Sequence, residues 1–121
     1  MPKFNDIHQY GEPFSYIHPY KQKEVKHLVD HITAPITHAI VFGSGTNYTC
    51  WWGSDLDVCL IGVDASYNTK PLRYPGQAYD FIFYNSLQEL AQNTTPNSVE
   101  KEIWEKGVVV YGGNRKSAKA C

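Results

Sequence analysis

Two aspartates at alternate positions of a predicted strand limit what this chain can fold into more than any other feature. Residues 55–63 alternate between two faces, with Leu56, Val58 and Leu60 on one and Asp55, Asp57, Cys59 and Ile61 on the other. Side chains two residues apart on a strand project from the same face, with Cβ atoms roughly 6–7 Å apart. Because two such charges repel in a low dielectric, the strand must lie where water screens them or a divalent cation bridges them.

A third carboxylate and a glycine–serine turn extend this pattern. Asp80 lies within an otherwise apolar, aromatic strand, where a charge is costly unless something pairs with it. Upstream, a β-rich run ends at Gly43 and Ser44, whose N–H groups and hydroxyl can hold phosphate oxygens. Ligands that are all oxygen favour Mg²⁺ or Mn²⁺ over zinc. Together these groups suit two-metal phosphoryl or nucleotidyl transfer.

Plainer interpretations of the same residues remain open at this point. Asp55 and Asp57 could lie at a solvated strand end, Asp80 could be a surface acid on an edge strand, and Ser44 could be an ordinary turn residue. Lys70 and Arg73, in the loop before the third strand, could reach phosphate or could simply be solvated.

Periodicity predicts alternating helices and strands. An amphipathic helix is expected over residues 21–33, and strands over 37–42, 55–63, 77–84 and 108–111. Two short helices are expected as well, the first opened by Asn85-x-x-Gln88 or Ser86-x-x-Glu89 and the second by Asn97-x-x-Glu100. Gly107 should end the last helix. On the first helix His27 and His31 lie opposite the apolar face, so we expect them to point to solvent. The expected class is α/β or α+β, with one small mixed sheet and helices packed against it.

Composition narrows the possible partners and the compartment. Eleven basic and twelve acidic residues give a formal net charge of -1, which disfavours strong binding to duplex nucleic acid. A nucleotide ligand remains possible because metal ions can neutralise phosphates. Three cysteines without a C-x-x-C pair predict reduced thiols and a cytoplasmic protein. No stretch approaches the roughly 18 apolar residues of a membrane span, so no membrane association is expected.

The motif spacing resembles the DNA polymerase beta-like nucleotidyltransferase superfamily, and within it the minimal nucleotidyltransferases. The residues that carry the resemblance are F-G-S at 42–44, S-D-L-D-V at 54–58, Y-D-F-I-F at 79–83 and I-W-E-K-G-V-V-V-Y at 103–111. It covers residues 21–112, the expected nucleotidyltransferase domain. Residues 1–20 would form an irregular aromatic arm, and residues 113–121 a polar tail.

The resemblance implies a nucleotidyltransferase core and transfer of a nucleoside monophosphate, AMP from ATP, to a hydroxyl. Asp55, Asp57 and Asp80 would be the catalytic, Mg²⁺-holding acids, and Gly43 and Ser44 would bind the nucleotide. We expect no second domain in the chain to bind an acceptor, so a partner, a homodimer or the aromatic arm would supply the acceptor site. The resemblance implies that the partner is a helical HEPN-type protein in a toxin–antitoxin pair. Residues 45–54 contain no Lys or Arg. That departure favours an alternative, a weak or inactive relative that binds nucleotide or a partner.

Overall fold

The computed structural model describes residues 21–43 and 55–112. In chain order its elements are helix α1 (Gln22–His31), strand β1 (His38–Phe42), strand β2 (Leu56–Ile61), a 3₁₀ helix (Lys70–Leu72), strand β3 (Tyr79–Tyr84), helix α2 (Leu87–Gln92), helix α3 (Val99–Lys106) and strand β4 (Val108–Tyr111). The predicted helices and strands are therefore confirmed in type and order. The expected aromatic arm, the polar tail and Ser44 lie outside the described residues.

The four described strands form one mixed sheet in the order β3-β2-β1-β4. β1 pairs antiparallel with both β2 and β4, whereas β2 and β3 run parallel. A parallel pair needs a crossover connection, and residues 62–78 with the 3₁₀ helix supply it. The small mixed α/β architecture expected from the sequence is confirmed.

Helices cover both faces of this sheet. α1 lies on the face of Tyr79, whose hydroxyl donates to the Glu24 carbonyl at 3.1 Å. α3 lies on the opposite face, because the Tyr84 hydroxyl donates to its Glu100 carboxylate. Side chains alternate along β3, so Asp80 shares the α3 face and Phe81 shares the α1 face. We call these the α3 face and the α1 face.

More residues of β2 are buried than its alternating pattern predicts. Leu56, Val58 and Leu60 are fully buried, as expected for one packed face. Cys59 and Ile61, on the α3 face with Asp57, are at most 1% exposed as well. A strand with helices on both sides is apolar on both faces. Only the beginning of β2, where Asp57 lies half-buried, stays polar.

The beginnings of the two short helices show one correct and one incorrect cap prediction. The Ser86 hydroxyl accepts a hydrogen bond from the Glu89 amide and caps α2, as expected. The predicted cap of α3, Asn97, is wrong, because the Ser98 hydroxyl accepts from the Lys101 amide instead. Asn97 adopts a φ of 65°, a turn conformation that precedes the helix. No helix in the described part of the chain is long and apolar enough to cross a membrane.

Candidate functional site

The first contact of the site joins the end of β1 to the beginning of β2. Phe42 pairs with Asp57, so Gly43 follows directly beside the Asp57 carboxylate. Gly43 has a φ of 71°, and a Cβ added there would lie 2.5 Å from Asp57 Oδ2. Only glycine fits both the backbone conformation and this approach. The two halves of the sequence motif, separated by more than ten residues, therefore meet in the folded chain.

A second contact brings two of the three predicted acids together. Asp57 of β2 and Asp80 of β3 are direct partners in the parallel ladder. Neighbouring strands lie about 4.8 Å apart, so both carboxylates leave the α3 face side by side. Asp80 is exposed and Asp57 is half-buried. Asp55 is exposed one residue before β2 begins.

The pKa of the Asp57 carboxyl group lies above its ordinary value. Burial, followed by the negative charges of Asp80, Asp55 and Glu102, raises its pKa to about 6. Each of these causes disfavours the ionised form. Such an acid binds a proton or a cation more readily than a solvated aspartate, and perturbed acids of this kind concentrate at functional sites. The plainer interpretation, a fully solvated strand end, fits Asp55 and Asp80 but does not fit Asp57.

Glu102 is an acid of this site that sequence reasoning missed. It lies on α3, which packs over the α3 face through the buried Ile103, and its charge acts on Asp57. Glu102 also lines a cavity of about 280 Å³ with Asn97, Ser98, Lys101, Glu105 and Lys106. The sequence carries no signal for this placement, because α3 is 45 residues away from Asp57 and meets it only through tertiary packing.

The chemistry of these side chains limits which metal ion they could hold. Asp57 and the three acids whose charges act on it, Asp55, Asp80 and Glu102, are all carboxylates, which suits Mg²⁺ or Mn²⁺. Within residues 21–43 and 55–112 no three His, Cys, Asp or Glu side chains lie close enough to enclose an ion. Mg²⁺ does not need such a cage, because it usually takes one or two carboxylates together with water and substrate phosphate oxygens. Asp57 and Asp80 fit that mode.

The loop cations do not belong to this site. The Arg73 guanidinium lies 5.0 Å from the Phe81 ring centroid and 6.0 Å from that of Tyr79, on the α1 face. It therefore lies on the side of the sheet opposite Asp80. Lys70 opens the 3₁₀ helix that contacts α1. The expectation that Arg73 reaches phosphate near the acids is not supported by this placement.

The two histidines of α1 each hydrogen-bond to a backbone carbonyl. His27 Nε2 donates to the Pro71 carbonyl at 3.2 Å, and its ring meets the Tyr74 ring edge-on. His31 Nδ1 donates to the His27 carbonyl at 2.8 Å. The expectation that both point freely to solvent is wrong for His27, because the 3₁₀ segment packs across it.

Comparison with known proteins adds no relative. No protein-family model matches the chain, and neither the curated proteins nor the solved structures contain a match.

Proposed function

We propose that this chain is a Mg²⁺-dependent nucleotidyltransferase with a nucleotidyltransferase core, which moves AMP from ATP to a hydroxyl acceptor. One observation carries the proposal: at one end of the sheet Gly43 lies against Asp57, and Asp57 pairs with Asp80. Motif spacing alone predicts all three residues as part of the site. Their contacts were not implied by local sequence. A phosphate-binding turn beside adjacent carboxylates is the arrangement that this chemistry needs.

In this proposal Asp55, Asp57 and Asp80 would hold Mg²⁺, with Asp80 nearest the attacking hydroxyl. Bound Mg²⁺ would neutralise phosphate charge and lower the pKa of the acceptor hydroxyl. The acceptor oxygen forms the new bond to the α-phosphorus, and the bond from that phosphorus to the pyrophosphate oxygen breaks. Asp80, which is exposed, receives the hydroxyl proton. Gly43 and Ser44 hold the β- and γ-phosphates through backbone and hydroxyl donors.

Positive charge for the triphosphate is available on α3. Lys106 lines the same cavity as Glu102, whose charge acts on Asp57. In this proposal it takes the place of the cation that residues 45–54 lack. Lysine suits such a position because it binds phosphate as a point charge on a long, adaptable stem.

The proposed acceptor belongs to another protein chain. The sequence resemblance favours a helical HEPN-type partner of a toxin–antitoxin pair, modified on a hydroxyl such as that of tyrosine. A homodimer in which each copy completes the other's acceptor site is the second arrangement. Cytoplasmic reducing conditions agree with the buried, unpaired Cys59.

The test is label transfer from ATP. Purified chain is incubated with Mg²⁺, cell lysate and ATP labelled at the α-phosphate, and labelled products are resolved by size. Wild type should transfer label, and Asp57→Asn and Asp80→Asn should reduce transfer by about a hundredfold or more, since each removes a charge that the reaction needs. Asp30→Asn is the matched control, because Asp30 is an exposed acid on α1, across the sheet.

Calorimetry separates transfer from binding alone. ATP affinity should depend on Mg²⁺ in wild type and lose that dependence in Asp57→Asn. Mg²⁺-dependent binding without any labelled product would support the alternative, a nucleotide-binding relative without activity. Equal ATP affinity with and without Mg²⁺ would contradict both.

A further inference from the structure

The two faces of the sheet differ in charge. On the α1 face, α1 and residues 70–73 carry four exposed cations (Lys23, Lys26, Lys70, Arg73) against one exposed acid, Asp30. Lys21 and Glu24 are both buried and pair at 3.4 Å, so their charges cancel. On the α3 face, α2 and α3 carry four acids against two lysines. Within the described residues the sheet therefore has a basic side and an acidic side.

The basic side also presents a row of aromatic rings. Tyr79, Phe81 and Phe83 of β3 stack along the strand, with ring centroids 5.5 Å and 6.5 Å apart. We call these three residues the aromatic row. Tyr79 is buried under α1, whereas Phe81 and Phe83 stay partly exposed. β3 is an edge among the described strands, so these rings lie at a border of the sheet.

Cations lie beside the row, and one of them, Arg73, contacts its rings. Arg73 lies over Phe81, and Lys23 Nζ lies 5.5 Å from the centroid of Tyr74, the residue that follows Arg73. Lys70 lies one turn earlier on the 3₁₀ helix. Lys23, Lys70 and Arg73 are all exposed, so their charges remain available to a ligand while their stems pack on rings. We call these three residues the cationic rim.

We propose that the aromatic row and the cationic rim bind single-stranded nucleic acid. The rim would neutralise backbone phosphates, and bases would stack on Phe81, Phe83 and the Arg73 guanidinium plane. This goes beyond the nucleotidyl transfer proposed above and does not depend on it, because the surface lies across the sheet from Asp57 and Asp80.

Charge and exposed rings together favour a single strand over other anionic partners. Phe81 and Phe83 are partly exposed rings on the basic side, and unpaired bases can stack on such rings. A duplex offers no such bases, since they are stacked and paired inside it. An acidic protein segment would use the rim but leave the rings without a partner.

Fluorescence anisotropy with the full chain tests the proposal. The probe is a labelled, uridine-rich RNA of about 12 nucleotides, within the site sizes of single-strand binders. Wild type should bind saturably at about 50 mM salt and more weakly at about 200 mM. Phe81→Leu keeps apolar volume but removes the ring, and should weaken binding about fivefold to a hundredfold. Arg73→Gln should weaken binding and reduce the salt slope by about 0.7.

The matched control is Lys101→Gln, which makes the same loss of charge at an exposed lysine on the α3 face. It should bind RNA as wild type does, and all variants should retain wild-type circular dichroism. The proposal is overturned if wild type does not bind the RNA. It is also overturned if duplex of equal length or polyglutamate competes as well as the single strand, or if Lys101→Gln weakens binding as much as Arg73→Gln.

Discussion

At the scale of single residues, Gly43 and Gly76 form a natural comparison. Both have positive φ angles, 71° and 83°. A Cβ added at Gly76 would meet nothing within 4 Å, whereas at Gly43 it would collide with the Asp57 carboxylate. The two positions therefore share a left-handed backbone conformation, which is unfavourable for alanine. They differ in how closely a Cβ atom would approach the candidate site.

We expect Gly43→Ala to lower the free energy of unfolding by about 2–4 kcal/mol and Gly76→Ala by about 1 kcal/mol. The smaller loss is the cost of a left-handed conformation for alanine, and the larger loss adds the displacement of Asp57. Urea denaturation of both variants measures the difference.

A double-mutant cycle assigns the extra cost to Asp57. In an Asp57→Ala background the collision is gone, so Gly43→Ala should cost no more than Gly76→Ala does. If Gly43→Ala costs the same in both backgrounds, Gly43 and Asp57 are not in contact.

The raised pKa of Asp57 predicts how stability depends on pH. The folded carboxyl has a pKa of about 6 against an ordinary value of 3.8, so between these values the folded state binds more protons than the unfolded state. Stability should therefore fall as pH rises from about 4 to about 6 and stay low above that range. Because Asp57 is only half-buried, solvent screening limits the loss to about 1 kcal/mol.

Asp57→Asn should remove this dependence, so the variant is at least as stable as wild type at pH 7.5 and gains nothing at pH 4.5. Thermal melts of both proteins at the two pH values, without metal, measure the effect. A variant several degrees less stable than wild type at pH 7.5 would show that Asp57 is a structural hydrogen-bond acceptor.

At the scale of elements, the beginning of α3 depends on Ser98. Its hydroxyl accepts from the Lys101 amide and donates to the Thr95 carbonyl, which fixes the turn before the helix. The same helix is anchored to β3 by the hydrogen bond from the Tyr84 hydroxyl to Glu100. These two contacts orient α3, and with it Glu102, over the acid site.

Ser98→Ala should lower the free energy of unfolding by about 1 kcal/mol, the usual cost of losing an N-cap. Asn97→Gly should be neutral or slightly stabilising, because glycine adopts the observed φ of 65° more easily than asparagine does. Chemical denaturation of the two variants decides between the caps. A larger loss for Asn97→Gly than for Ser98→Ala would restore Asn97 as the cap.

At the scale of the whole molecule, the reactivity of the Cys59 thiol measures whether the sheet is intact. It lies fully buried in the central strand β2, and burial with the nearby Glu100 charge raises the pKa of its thiol to about 12. Thiolate is the reactive form, so native Cys59 should be inert.

Alkylation of Cys59 by iodoacetamide at pH 8 should be at least about a thousandfold slower in the native protein than in guanidinium chloride. Peptide mass spectrometry follows this site separately from Cys50 and Cys121. Modification at the unfolded rate under native conditions would show that β2 is open to solvent.

Much of the fold and part of the site follow from local sequence. The period of each apolar pattern predicts where α1 and the four strands lie, because the backbone geometry of a helix or strand repeats over a few residues. The same alternation places Asp55 and Asp57 on one face of β2. Ser86 could be recognised as a cap because capping is a contact within one turn.

Contacts between distant segments were decided only by the tertiary structure. Asp57 and Asp80 are neighbours because β2 and β3 pair parallel in one register, and a shift by one residue would separate their faces. Glu102 reaches the site through the docking of α3, and Arg73 leaves it because its loop packs on the α1 face. Strand order, register and helix docking depend on how apolar side chains from distant segments pack together. The periodicity of a single segment contains no information about which other segment it packs against.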